Sequence, residues 1–166
     1  MNELVLTIKK QTEVMFTNAE IMLKTCDLDF ILCDMPIWKH VYHMLHSLDR
    51  WFINPYEYSE PNFHEENLNS LDIPSDKELS YEQLESYLEE IKNKTLNYID
   101  GLTDEMLYEI PDRCKVNRLG LMLQQYRHFY AHLGNINGTT IMATNKWPRV
   151  VGTSGKSGKS TEGLYE

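Results

Sequence analysis

Apolar residues recur three and four positions apart along most of this chain, and the places where that rhythm stops divide it into elements. Between Asn2 and about Cys26, Leu4, Ile8, Met15, Ala19, Met22 and Leu23 fall on one side of a helix, with Lys9, Lys10, Glu13 and Glu20 among them. Asp34 can cap a second helix and Pro36 suits its first turn; Ile37, Val41, Met44, Leu48 and Phe52 then form a stripe that Asn54-Pro55 ends. Residues 55–79 hold three prolines, five glutamates and two aspartates without a sustained period, which predicts a long connection able to cover a site. Ser80 followed by Gln83 makes a capping box for a helix through Tyr81, Leu84, Tyr87, Leu88, Ile91, Leu96 and Ile99 that stops at Gly101. Thr103, Asp104 and Glu105 open a short helical turn before Pro111, and a last long helix runs from about Asn117 through Leu121, Met122, Phe129, Leu133 and Ile136 to about Ile141.

No segment alternates apolar and polar residues convincingly and no internal repeat occurs. The pattern therefore predicts an all-α chain: a four-helix bundle over residues 1–148, with a long connection between its second and third helices. After Trp147-Pro148, residues 149–166 include GTSGKSGKSTEGLYE, whose Gly, Ser and Lys content predicts a flexible C-terminal tail. Its likeness to a phosphate-binding loop fails on spacing, because Gly152 precedes Gly158 by six positions rather than five and no helix-forming segment follows.

With 166 residues the chain can bury a core of its own. Its 25 acidic against 16 basic residues, a net charge of -9, argue against nucleic acid and anionic membrane surfaces as partners. Cys26, Cys33 and Cys114 are odd in number and lack CxxC spacing, as expected of free thiols in a reducing compartment. Polar residues interrupt MNELVLTIKKQTEV at every turn, and no stretch approaches the ~20 apolar residues needed to cross a bilayer. These features predict a cytoplasmic protein in which the sequons at Asn93 and Asn137 are coincidental.

Five of the six histidines lie in two windows, WKHVYHMLHSLDRWF and QYRHFYAHLGNING. His128 and His132 are four apart, so on a helix their imidazoles can reach one point beside the apolar face. Imidazole suits zinc, nickel, copper or ferrous iron, and a third ligand must come from another helix. His40, His43 and His46 are spaced by three and cannot all point inward. A wheel centred on Ile37, Met44 and Leu48 puts His40 nearest the stripe, His43 further out and His46 nearly opposite, but a helix touching two neighbours has no single inward direction. Pattern alone slightly favours His40. His64 stands alone and reads as loop surface. The acidic run from Glu57 to Glu66 reads as a solvated face, with Asp49 or one of these carboxylates available as a supporting group or general base.

The segments YHMLHSLDRWF, with an Asp six residues after a His, and YRHFYAHLGNIN, with its Arg-His-x-x-x-His-x-Gly pattern, resemble the DinB-like, or YfiT-like, four-helix bundles. The resemblance spans most of the chain. It implies one divalent metal, zinc foremost with nickel or iron as alternatives, held by His43, His128 and His132, and leaves His40 and His46 as bystanders. It further implies a metal-dependent hydrolase or thiol-dependent transferase acting on a small molecule, with a low-molecular-weight thiol as one candidate substrate. It also implies a homodimer, for which Trp38, Trp51 and Tyr42 are available contacts. The competing expectation is a non-catalytic dimeric helical protein whose metal is structural or absent. A DNA-repair role is disfavoured by the acidity of the chain and its lack of a basic reading helix.

Overall fold

The computed structural model describes residues 2–152 and 163–166. Four long helices carry the architecture: α1 (Glu3–Thr25), α2 (Ile37–Trp51), α3 (Tyr81–Asp100) and α4 (Arg118–Thr144). A two-stranded hairpin, β1 (Ile31–Leu32) with β2 (Met35–Pro36), precedes α2, and a 3₁₀ turn, Met106–Tyr108, precedes α4. Helix α2 packs on α4 and α3, and α1 packs on α3 and α4. The fold is therefore predominantly helical. No helix among the described residues is long and apolar enough to cross a membrane.

The helix ends show why these segments stop where they do. At α3, the Ser80 hydroxyl accepts from the Gln83 backbone N–H and the Gln83 side chain returns a bond to the Ser80 N–H, so two orphan donors are satisfied reciprocally. The Asn117 side chain caps α4 by accepting from the Gly120 N–H, and the helix ends on Asn145 in the left-handed region at φ 54°. The N–H groups of Leu4 and Val5 donate to the Asp104 carboxylate, which ties the start of α1 to a segment ninety-nine or more residues away in sequence.

Helix α2 starts differently from the expectation. Asp34 does not cap it: Asp34 lies in the hairpin turn, where Cys33 (φ 49°) and Asp34 (φ 67°) both take the left-handed conformation that a tight two-residue hairpin requires. The first N–H groups of α2 are satisfied instead by backbone, Ile37 donating to the Phe30 carbonyl and Trp38 to that of Leu28.

The core gathers Met15, Phe16 and Ala19 of α1, Val41, Met44 and Leu48 of α2, Leu84 and Ile91 of α3, and Met122, Phe129 and Ile136 of α4. Trp38 and Tyr42, considered above for a dimer contact, are buried inside the chain, whereas Trp51 is exposed. Across the α2–α4 contact the Ser47 hydroxyl donates to Gln125 Oε1 at 3.3 Å.

The connection between α2 and α3 contains no helix or strand, yet it is fastened along one edge of α2. Lys39 Nζ donates to the Ile73 carbonyl at 2.7 Å, Tyr42 bonds His64, His43 bonds Asn69 and His46 bonds Glu60, while Leu68 is fully buried as an apolar anchor. The spacing of residues 39, 42, 43 and 46 is that of one helix face, so the connection lies along α2 as a polar seam.

Of the segment expected to be a flexible tail, residues 153–162, which include most of the GTSGKSGKS stretch, lie outside the described residues. Its two ends are tied down. Asn18 on α1 accepts from the Val151 N–H at 2.8 Å and donates to the Val151 carbonyl at 3.2 Å, and Arg149 N–H donates to the Leu164 carbonyl at 2.9 Å.

Candidate metal centre

Phe129 and Leu133 turn into the core, which leaves His128 and His132 on the flank of α4 that faces α2. His43, midway along α2, meets them there. The three imidazoles are half-buried, and each offers a ring nitrogen within 4.8 Å of the others. His128 and His132 approach through Nε2 atoms 3.1 Å apart. Ring centres are separated by 4.5 Å for His128 and His132, 4.8 Å for His43 and His132, and 5.3 Å for His43 and His128.

These distances can be compared with what one ion would require. Two imidazoles bound at about 2.0–2.1 Å and subtending about 90–110° have donor nitrogens about 2.9–3.4 Å apart and ring centres about 4.5–5.2 Å apart. The three ring-centre separations lie inside that range or within about a tenth of an ångström of it, and the 3.1 Å between the His128 and His132 nitrogens does so as well. The donor set is chemically apt as well, three neutral nitrogens suiting a borderline divalent metal.

The tautomer of His43 is set by its neighbour. A carbonyl can only accept, so the 2.7 Å bond to Asn69 O places a proton on His43 Nδ1 and leaves the Nε2 lone pair for a ligand when the ring is neutral. Metal-binding histidines are commonly oriented in this way. His128 Nδ1 is buried with no hydrogen-bond partner among the described residues, so the protein itself does not fix that tautomer.

Burial, and then the repulsion of His128, His43 and His40, pushes the pKa of His132 down to about 4. Burial and His43 lower that of His128 as well. Both rings are thus neutral at pH 7, the form a metal needs. The consequence for the metal-free protein has a definite sign. Below the ordinary value of 6.5 the unfolded chain takes up protons that the folded chain refuses until about pH 4, so stability falls as pH drops through that window. Urea unfolding of metal-free protein between pH 7 and 4.5 is expected to show a steeper loss in the wild type than in His132→Gln; equal slopes would contradict the burial of a neutral His132.

The remaining candidates fall elsewhere. His40, which the wheel favoured, is buried against the hairpin, its Nε2–H donating to the Leu32 carbonyl at 2.8 Å. Asp49 is engaged with α3, accepting from the Tyr87 hydroxyl at 2.9 Å and from Lys94 Nζ at 2.6 Å. Cys26 is partly buried and its thiol is pushed up to about 12, mainly by burial, so it is a poor nucleophile.

Two expectations are corrected. His64 is no isolated loop residue: its Nδ1 bonds the Tyr42 hydroxyl at 2.8 Å and its ring stacks on His46 at 4.9 Å. Nor does His46 lie on open surface, as its place nearly opposite the stripe implied: it is buried and its Nε2 lies 2.6 Å from Glu60 Oε2. The wheel placed His46 away from the core, but it had no knowledge of the connection that covers that side of α2.

No family model matches this chain, and neither a curated protein nor a solved structure does so significantly.

Proposed function

We propose that this chain is a DinB-like enzyme of the cytoplasm, built on a four-helix bundle, in which His43, His128 and His132 hold one divalent ion, zinc foremost, for hydrolysis or thiol transfer on a small molecule. The observation that carries the proposal is the convergence of three ring nitrogens within 4.8 Å, one of them oriented by a backbone carbonyl. Three protein ligands leave a coordination position open, and among the described residues no carboxylate joins the three-histidine group. A bound divalent ion supplies Lewis-acid activation at that position.

The roles of the protein groups follow from their placement. The Asn69 carbonyl orients His43, the four-residue spacing on α4 sets the angle between His128 and His132, and the packing of α2 on α4 sets the distance between the pair and the third ring. Nickel and iron(II) suit the same nitrogens, and a low-molecular-weight thiol is a fitting substrate for a borderline ion. The rival reading, a dimeric interaction protein, loses two of the three aromatic residues that motivated it, because Trp38 and Tyr42 are interior.

Zinc-reconstituted protein, metal-stripped protein and His43→Ala, incubated with aryl esters and with an electrophile plus a small thiol, separate the alternatives. The expected outcome is zinc-dependent turnover of one substrate class, lost on stripping, restored by zinc in the wild type and absent from His43→Ala. Turnover indifferent to both stripping and substitution would sink the proposal.

A further inference from the structure

One turn further along α2, a second group of metal-ligating side chains comes together between that helix and the connection. His46 Nε2 lies 2.6 Å from Glu60 Oε2, and His64 Nε2 lies 3.9 Å from the same oxygen. One ligand atom from each of the three residues falls within 4.8 Å of the others. The His46 and His64 rings are stacked, with centres 4.9 Å apart and planes 18° from parallel, so the exposed Glu60 side and a turn of the His64 ring must bring both in-plane Nε2 lone pairs onto one ion.

The outer nitrogens of both rings are already occupied by uncharged partners. The Tyr42 hydroxyl bonds His64 Nδ1 at 2.8 Å, and Asn69 Nδ2 donates to His46 Nδ1 at 3.3 Å. Both Nε2 atoms are thereby turned toward one carboxylate, with their orientation fixed from behind. We propose that His46, Glu60 and His64 form a second divalent-cation site, specific for a first-row transition ion and separate from the three-histidine centre. The inference does not rest on that centre being occupied.

The chemistry of loading is balanced. Neutral His46 carries its proton on Nε2, where it now donates to Glu60. Ligation through Nε2 moves that proton to Nδ1, the Asn69 amide turns over to present its oxygen, and His64 holds its own proton on Nδ1 as donor to the Tyr42 hydroxyl oxygen, so no net proton is released. Two nitrogens and a carboxylate suit zinc, iron(II) or nickel rather than calcium or magnesium, which prefer oxygen ligands alone. Glu60 supplies the anionic ligand that the three-histidine centre lacks, and its partial exposure lets the carboxylate adjust its distance to both rings.

Access exists on the Glu60 side. A pocket of about 320 Å³ lined by Asp49, Ser59, Glu60, Phe63, Glu90 and Lys94 reaches the carboxylate from solvent. Two positive charges oppose a cation: Lys94 lines the same pocket, and Arg50 Nη1 lies 3.7 Å from Glu60 Oε1. The second site is accordingly expected to be the weaker of the two, and Arg50→Gln is expected to tighten it.

Zinc titration against a chromophoric chelator, on wild type, Glu60→Gln, His64→Ala and His132→Ala with folding checked by circular dichroism, tests the proposal. The wild type should take up two zinc ions per chain. Glu60→Gln, nearly isosteric and the safer variant for folding, should keep the tighter ion and weaken the other about tenfold or more, and His64→Ala should do the same. His132→Ala should lose the tighter ion and keep the weaker. A wild-type chain that saturates at one zinc sensitive only to His132→Ala, or a second zinc indifferent to both Glu60→Gln and His64→Ala, overturns the second site. A single zinc lost in Glu60→Gln but untouched in His132→Ala would support this site while refuting the three-histidine centre.

Discussion

Replacing His132 with alanine is expected to weaken zinc binding at the three-histidine centre by at least about a hundredfold, or about 2.7 kcal/mol. The size of the effect follows from the geometry. His132 is the ring nearest both others, with centres 4.5 Å from His128 and 4.8 Å from His43, so its removal leaves only the more widely separated pair at 5.3 Å. Two imidazoles at that spacing hold a borderline ion far less firmly than three. The informative control is His40→Ala. His40 sits three residues from His43 and closer to the apolar stripe, but its ring nitrogen is committed to the Leu32 carbonyl. Its loss should leave zinc affinity unchanged while costing stability at the hairpin. A chelator competition assay reads both variants, and a large affinity loss in His40→Ala with none in His132→Ala would invert the ligand assignment.

Phe129→Ala should destabilise the fold by about 3–5 kcal/mol, a large share of the about 5–15 kcal/mol available to a chain of this kind. Phe129 is fully buried on α4 between the two histidines and belongs to the core shared with α1, α2 and α3. Truncation removes the transfer energy of a phenyl group and leaves a cavity that rigid neighbouring helices cannot fill. Denaturant unfolding of the metal-free protein measures the loss, and a change below about 1 kcal/mol would mean that α4 is not packed as described. Zinc should restore part of the stability, because an ion that binds only the folded chain stabilises it by about 2.7 kcal/mol at a hundred times its dissociation constant.

The long helices were readable because each repeats its apolar residues for several turns, and α3 and α4 also carry local end signals. The Ser80–Gln83 box acts where the sequence placed it, and the last helix starts near Asn117 as expected, with that residue as its cap. The hairpin was not readable, since two-residue strands are too short to show alternation and a Cys33-Asp34 turn lacks the Gly or Asn that marks tight hairpins. At the site, the four-residue spacing of His128 and His132 was visible in one element. The third position could not be chosen by periodicity, because a wheel reports how close a residue lies to the core and not which neighbour it faces. His40 is indeed buried, as the wheel implied, but against the hairpin rather than α4.

What lay beyond sequence reasoning were the partners donated by the aperiodic connection. Asn69 touches both clusters, its carbonyl accepting from His43 and its side-chain amide reaching His46. Glu60 and His64 come to α2 from fourteen and twenty-two residues away from their partners His46 and Tyr42. No periodic signal encodes such contacts, because they depend on the path of a segment fixed by isolated anchors such as Leu68 and Lys39. A cluster of histidines facing a long acidic connection was nevertheless a hint that the two could meet.

Metal content per chain in the Glu60→Gln protein, in which the second cluster is weakened, compared with Glu60→Gln combined with His43→Ala, at a free zinc concentration below that at which the weakened cluster fills, tests the central claim most directly. Untagged protein, dialysed against zinc and analysed for its elements, is expected to hold one zinc in the first and none in the second. No zinc in the first, or one zinc retained in both, would contradict a metal centre built from His43, His128 and His132.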